Sequence, residues 1–202
     1  MKLDPWKTLE ASLVFSAPPW VNVYREKVEL PDGRTLDDFY RVVLPDFAVV
    51  VPITEAGELV MVRGYRHGPG RVSLGAPSGY VEPGESPLQA AQRELLEETG
   101  YVASEWQRLG SFVVDGNRQV GTAHLFLARN VRQASTGANN PDPNEALQIE
   151  LVSARHFFGT VSEGDVALLA TVGAVALAML TQCGFAATTN LTGATMKPLM
   201  RG

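Results

Sequence analysis

The sequence predicts a mixed α/β domain, and three observations carry that expectation. Short β-type runs separated by turn signals fill the first 65 residues and recur after residue 110. One amphipathic helix with clear start and stop signals sits in the middle of the chain. An apolar, Ala-rich stretch near the C-terminus reads as a second, buried helix. The length, 202 residues, suits one domain with a small addition. Apolar residues at 45% and charged residues at 19% allow a real core and argue against long disorder.

The elements follow in order. Residues 20–30 (WVNVYREKVEL) alternate imperfectly, as a half-buried strand does. Pro31-Asp32-Gly33-Arg34 is a turn signal, and Asp38–Leu44 reads as the returning strand, so residues 1–45 are expected to form a β-hairpin extension. Phe47–Ile53 is continuously apolar, as a fully buried strand is. Glu55–Glu58 is a turn and Leu59–Tyr65 the next strand. Ser111–Val114, Ala123–Ala128 and Gln148–Val152 are further strand candidates, and Asn139–Asn144 (NNPDPN) is a loop by composition. A short helix is expected from His156. Val166–Leu180 is the apolar helix; its 15 residues fall short of the roughly 20 that span a bilayer. Residues 46–183 are the expected main domain, and 184–202 a poorly ordered tail.

Charge and composition exclude several classes. A net charge of −5 argues against broad nucleic-acid binding, which needs clustered Lys and Arg. A single cysteine, Cys183, rules out an internal disulfide and a multi-cysteine zinc site. The first ten residues lack the apolar core of a signal peptide, and no membrane partner is expected, so a cytoplasmic location is the expectation.

The middle helix carries the chemistry. In residues 79–101, GYVEPGESPLQAAQRELLEETGY, Ser86 can cap, Pro87 suits the first helical position and Gln89 completes a capping box. Gly100 is the expected stop. Leu88, Ala91 and Leu95 share a face expected to pack on the core. Glu94, Glu97 and Glu98 stand at i, i+3 and i+4, so their carboxylates are expected to converge. Like charges so spaced cost about 0.2–0.5 kcal/mol per pair. A solvated acidic face is the ordinary explanation of such a run; a hard divalent cation is the functional one, because Mg²⁺ binds through carboxylates and substrate phosphates. Arg93, four residues before Glu97, can pair with it.

This segment resembles the Nudix box, G-x5-E-x7-R-E-U-x-E-E-x-G-U with U bulky and apolar. Gly79, Glu85, Arg93, Glu94, Leu95, Glu97, Glu98, Gly100 and Tyr101 fill every fixed position, Tyr101 being aromatic where an aliphatic is commoner. The resemblance implies a Nudix fold: an α/β/α sandwich around a mixed β-sheet. It implies hydrolysis of a nucleoside diphosphate linked to another moiety, with Mg²⁺ as cofactor and Mn²⁺ as an alternative. Glu94 and Glu98 would be metal ligands and Glu97 a ligand or its neighbour. Glu85 would support the helix through Arg93 and reach toward a metal. The carbonyl of Ser78 would be a further ligand. Cations neutralise a pyrophosphate's charge and lower the pKa of water, and a carboxylate outside the helix often takes the water's proton.

The rest of the chain is similar to the ADP-ribose pyrophosphatase branch, through Leu30–Gly33 at the hairpin turn and the pair Tyr65-Arg66 ahead of the box. That branch implies a homodimer formed through the N-terminal hairpin. It also implies an acidic loop, here Pro141–Ala146, supplying Glu145 as general base, with Glu150 and Asp142 as fallbacks. Arg66 and Arg118 are candidate phosphate or ribose contacts, Tyr65 a base-stacking candidate, and Trp20 a candidate wall of the partner's adenine site. Three positions depart from the branch: Gly75 where Glu is usual, Asp115–Arg118 without the usual Pro, and Gly64 where Gln is usual. ADP-ribose is the leading substrate. GDP-mannose, NADH or a dinucleoside polyphosphate, and a non-catalytic nucleotide-sensing domain, stay open as alternatives.

Overall fold

A computed structural model of the chain describes residues 3–135 and 146–183. In order, its elements are β1 (Lys7–Ala17), β2 (Val21–Glu29), β3 (Thr35–Val43), β4 (Phe47–Thr54), β5 (Glu58–Arg66), β6 (Arg71–Gly75), β7 (Ser78–Tyr80), α1 (Pro87–Thr99), β8 (Tyr101–Val102), β9 (Glu105–Asp115), β10 (Gln119–Gln133), β11 (Leu147–Ser153), α2 (Ala154–Ser162) and α3 (Leu169–Gln182). The sheet runs β1-β2-β3-β10-β4-β5-β11, with β6 on β5, β7 on β4, and β8 and β9 on β10. It is mixed: β10 lies parallel to β3 and β4, while the other pairs are antiparallel.

The continuous apolar run in β4 has a direct cause, because that strand is covered on both faces. Successive side chains alternate between two cores. Val49, Val51 and Ile53 join Leu125, Leu127, Phe157, Ala174, Val175 and Ala178 beneath α2 and α3. Ala48 and Val50 join Val60, Phe126, Ala128, Ala90, Ala91 and Leu95 beneath α1. Helices therefore cover the sheet from both sides, which is the expected α/β/α sandwich.

Four details differ from the sequence reading. The N-terminal extension has three strands, because β1 precedes the hairpin β2–β3. Leu88 does not join the core; it is 37% exposed at the edge of α1. The C-terminal helix starts three residues later than Val166, and only Thr171, Ala174, Val175 and Ala178 are buried, so it is one-sided rather than buried all round. Strands β6 and β8, and most of β9, had no sequence signal. Among the described residues no helix is long and apolar enough to cross a membrane. The expected loop and tail lie outside the described residues, apart from Ala146.

The box loop and α1 are positioned by short-range rules. Gln89 donates its amide N–H to Ser86 Oγ at 3.3 Å, and Ser86 N–H donates to Gln89 Oε1 at 2.8 Å, which closes the capping box. Gly100 adopts φ 70° and donates to the Leu96 carbonyl at 2.8 Å, ending the helix in a left-handed turn that favours glycine. Ahead of the helix, β7 pairs with β4 at Phe47, Ala48 and Val49, which lays Ser78–Tyr80 beside α1.

Candidate active site

Arg93 is the hub of the box. Its Nε and Nη2 grip both oxygens of Glu85 at 3.0 and 3.1 Å. Nη1 donates to Glu94 Oε1 at 2.6 Å and to Glu97 Oε2 at 3.0 Å. Nη2 also donates to the Tyr80 carbonyl at 2.9 Å. One planar guanidinium thus ties the loop, the strand end and the helix together. The hydrogen bonds from Arg93 hold Glu85 below the usual carboxylate range, and in return Glu85 first, then Glu94 and Glu97, raise the Arg93 pKa.

Glu98 is buried, and its Oε2 accepts the Ser78 amide N–H at 2.9 Å. A Cβ at position 79 would overlap the Glu94 carboxylate. Gly79 therefore permits this close approach of Glu94, and its backbone angle is not one that favours glycine. Glu94 and Glu97 both accept from Arg93 Nη1 and Glu98 accepts from the Ser78 amide, and among the described residues no group of three acidic side chains stands arranged to hold a metal ion. The guanidinium relieves the like-charge repulsion that the spacing creates. The donor set still fits a hard divalent cation: it is all oxygen, it is carboxylate-rich, and the missing Cβ of Gly79 brings backbone against Glu94.

The remaining candidates fall in different places. Trp20, between β1 and β2, lies with its ring 5.7 Å from Tyr80 of its own chain. Among the substrate candidates it thereby has a direct link to the box, since the Tyr80 carbonyl holds Arg93. Tyr65 is exposed at the end of β5, 6.1 Å from the His67 ring, and Arg66 follows it opposite Arg71. Arg118 Nη1 donates to the Tyr40 carbonyl at 3.3 Å, and its own carbonyl accepts from Val42 N–H at 3.0 Å. It clasps the β9–β10 turn to β3. Glu145 and Asp142 lie outside the described residues. Glu150, the other fallback base, is held by Arg63 at 2.5 and 3.3 Å, and Arg63 also grips Asp165 at 2.9 and 3.0 Å. This ion cluster joins β5, β11 and the α2–α3 connection, and it raises the Arg63 pKa, with Asp165 as the largest cause.

Gly75 is buried, and an added Cβ would meet Thr171 Oγ1 at 3.8 Å and the Val62 carbonyl at 3.9 Å, ordinary contact distances. It pairs with Val62 of β5, on the face that carries Val60 into the core beneath α1. Sequence reasoning missed Tyr80 and Asp46. Tyr80 acts through its carbonyl, which residue type does not reveal. Asp46 accepts from Thr122 N–H through Oδ1 at 2.8 Å and from Val81 N–H through its carbonyl at 2.9 Å, pinning the end of β7.

The fold and box define a class. Residues 44–170 match the NUDIX domain family, and the chain belongs to it; residues 6–46 match the nucleoside diphosphate sugar hydrolase N-terminal domain. It is a hydrolase acting on pyrophosphate bonds. An ADP-ribose pyrophosphatase of Bacillus subtilis is 34% identical over 128 residues, 63% of this chain and 68% of that protein. A methanol dehydrogenase activator of Bacillus methanolicus is 32% identical over 152 residues, 74% of this chain and 80% of that one. A crystal structure of an ADP compounds hydrolase superposes with a TM-score of 0.76 at 21% identity, covering 92% of this chain and 98% of that one, which establishes the likeness of fold.

Proposed function

We propose that the chain is a Mg²⁺-dependent hydrolase of a nucleoside diphosphate sugar, with ADP-ribose as substrate and AMP and ribose 5-phosphate as products. The carboxylate assembly gathered by Arg93 beside Gly79 carries this reading, supported by the likeness to an ADP-ribose pyrophosphatase and an ADP compounds hydrolase. Glu94, Glu97 and Glu98, with the Ser78 carbonyl, would hold the cation, which when bound neutralises phosphate charge and acidifies water. Mn²⁺ is the alternative ion. Arg93 positions Glu94 and Glu97, and Glu85 orients Arg93. Glu145 is the proposed general base. Arg66 is the proposed diphosphate contact, and Trp20 and Tyr65 are proposed to flank the base; the Tyr40 contact makes Arg118 a structural clasp first. Residues 1–45 would serve dimerisation and substrate binding, and 46–183 catalysis.

A homodimer through the N-terminal strands belongs to the same proposal. Leu13, Val14 and Phe15 of β1 are each more than half exposed, which is unusual for an apolar run. The proposed location is the cytoplasm. Product release would be followed on ADP-ribose, GDP-mannose, ADP-glucose, NADH and diadenosine polyphosphates at about 5 mM Mg²⁺, with EDTA as control. Mg²⁺-dependent cleavage strongest on ADP-ribose is the expected result. Cleavage of another member replaces the substrate, and binding without turnover overturns the proposed reaction.

A further inference from the structure

A cavity lies between the start of α1 and strands β9 and β10, and its lining includes neither Ser78 nor Glu98. Its volume is about 430 Å³, within the usual range for small-ligand sites. Leu88 and Pro87 from the first turn of α1, Trp106 and Arg108 from β9, and His124 and Phe126 from β10 line it. The Trp106 indole is fixed, because Nε1 donates to the Ala103 carbonyl at 3.2 Å. Phe126 is buried beside it. Those two rings and Leu88 form an apolar slot.

One edge of the slot is polar and wired. Arg108 Nη2 donates to Ser111 Oγ at 2.6 Å, and Ser111 Oγ shares a 2.6 Å hydrogen bond with His124 Nδ1. Asp46 approaches His124 Nε2 at 3.7 Å from the β3–β4 junction. Burial lowers the His124 pKa against the opposing pull of Asp46, so the ring is neutral near pH 7. Arg108 is then the cation on the cavity wall, and the first turn of α1 brings no acidic side chain to it. Leu88, 37% exposed, and Arg108, on the same cavity wall as Trp106 and Phe126, have no role in the box chemistry.

We infer that this cavity is a binding site for a small planar aromatic anion, its ring seated between Trp106, Phe126 and Leu88 and its acidic group paired with Arg108. A guanidinium matches a carboxylate or sulfonate by paired hydrogen bonds, and an indole face accepts a flat ring. The site is independent of the proposed substrate.

The test uses the full chain and 2-naphthalenesulfonate as probe. The three tryptophans, Trp6, Trp20 and Trp106, give separate indole N–H signals in nitrogen-15 NMR spectra. A saturable shift of the Trp106 signal, with Trp6 and Trp20 unmoved, is expected. Arg108→Gln should weaken binding at least about tenfold, and the uncharged 2-naphthol should bind weaker by a similar factor. Leu88→Trp, which fills the slot, should abolish the shift while the rest of the spectrum stays folded. Parallel shifts at all three tryptophans, no saturable shift at Trp106, or equal affinity in Arg108→Gln would each overturn the assignment.

Discussion

Replacing Arg93 with Met tests whether the guanidinium is what holds the box together. The substitution keeps an unbranched apolar stem and removes the hydrogen bonds to Glu85, Glu94, Glu97 and the Tyr80 carbonyl. It also leaves carboxylates facing one another without a counter-charge. Removing one partner of a buried pair costs about 3–5 kcal/mol. The arginine side chain is 25% exposed and Glu97 38%, so solvent screens part of that penalty. A loss of about 2–3 kcal/mol is the reasoned value. At about 2–4 °C per kcal/mol for a domain of this size, the melting temperature in EDTA should fall by about 4–12 °C. Adding Mg²⁺ should narrow the gap, because a ligand at a hundred times its Kd stabilises by about 2.7 kcal/mol and the variant's carboxylates have lost their competing cation. Differential scanning calorimetry with and without Mg²⁺ reads both effects. A variant that melts within about 1 °C of the parent in EDTA would show these carboxylates to be an ordinary solvated face.

Further outcomes follow from the same geometry. Glu98→Gln keeps an oxygen for the Ser78 amide, so the fold should survive while kcat drops at least about a hundredfold, the scale of losing one electrostatic transition-state contact; near-parental turnover would refute the metal role. Gly79→Ala forces the Glu94 carboxylate away and should weaken Mg²⁺ binding in a calorimetric titration, with unchanged affinity as the contrary result. Glu85 has a folded pKa depressed below its ordinary 4.5, so its contribution to stability is present above that value and is lost as pH falls through the lower folded one. The stability difference between parent and Arg93→Met should therefore shrink on acidification, and a constant difference in acid denaturation curves would contradict the assignment. Trp20→Ala should raise KM more than it lowers kcat, and steady-state kinetics would show the reverse if Trp20 mainly orders the box through Tyr80.

Much of the fold is legible because its strongest signals are local. The run Phe47–Ile53 is apolar at every position because β4 is covered twice, and the Ser86/Gln89 box and Gly100 set the limits of α1 by short-range hydrogen bonds. β1 was not legible for an equally physical reason. Nearly all its residues are exposed, and irregularities between Thr8 and Glu10 and between Leu13 and Phe15 break the two-residue period. It is a strand because β2 pairs with it. At the box, spacing located the acidic residues but not their orientation. Arg93 reaches Glu85 eight positions back, just ahead of the Ser86 cap, and no helical periodicity encodes that contact. The same limit hid Tyr80, which works through its carbonyl, and Asp46, which joins Thr122 through its carboxylate and Val81 through its carbonyl.

The Gly75 departure can be judged on this geometry. Gly75 pairs with Val62 of β5, on the face that carries Val60 into the core beneath α1, so a Glu usual at that position would stand on the side of the box. The box carboxylates stand on the α1 side. The route from the N-terminal extension to the box is more direct. Trp20 lies against Tyr80, whose carbonyl holds Arg93, and Asp46 at the β3–β4 junction anchors Val81. Both links are within one chain. A second subunit, if its strands reach the same site, adds to an extension that already touches the box in cis. Dilution separates the two contributions: the contact through Tyr80 is independent of protein concentration, whereas any wall supplied by a partner is lost as the dimer dissociates.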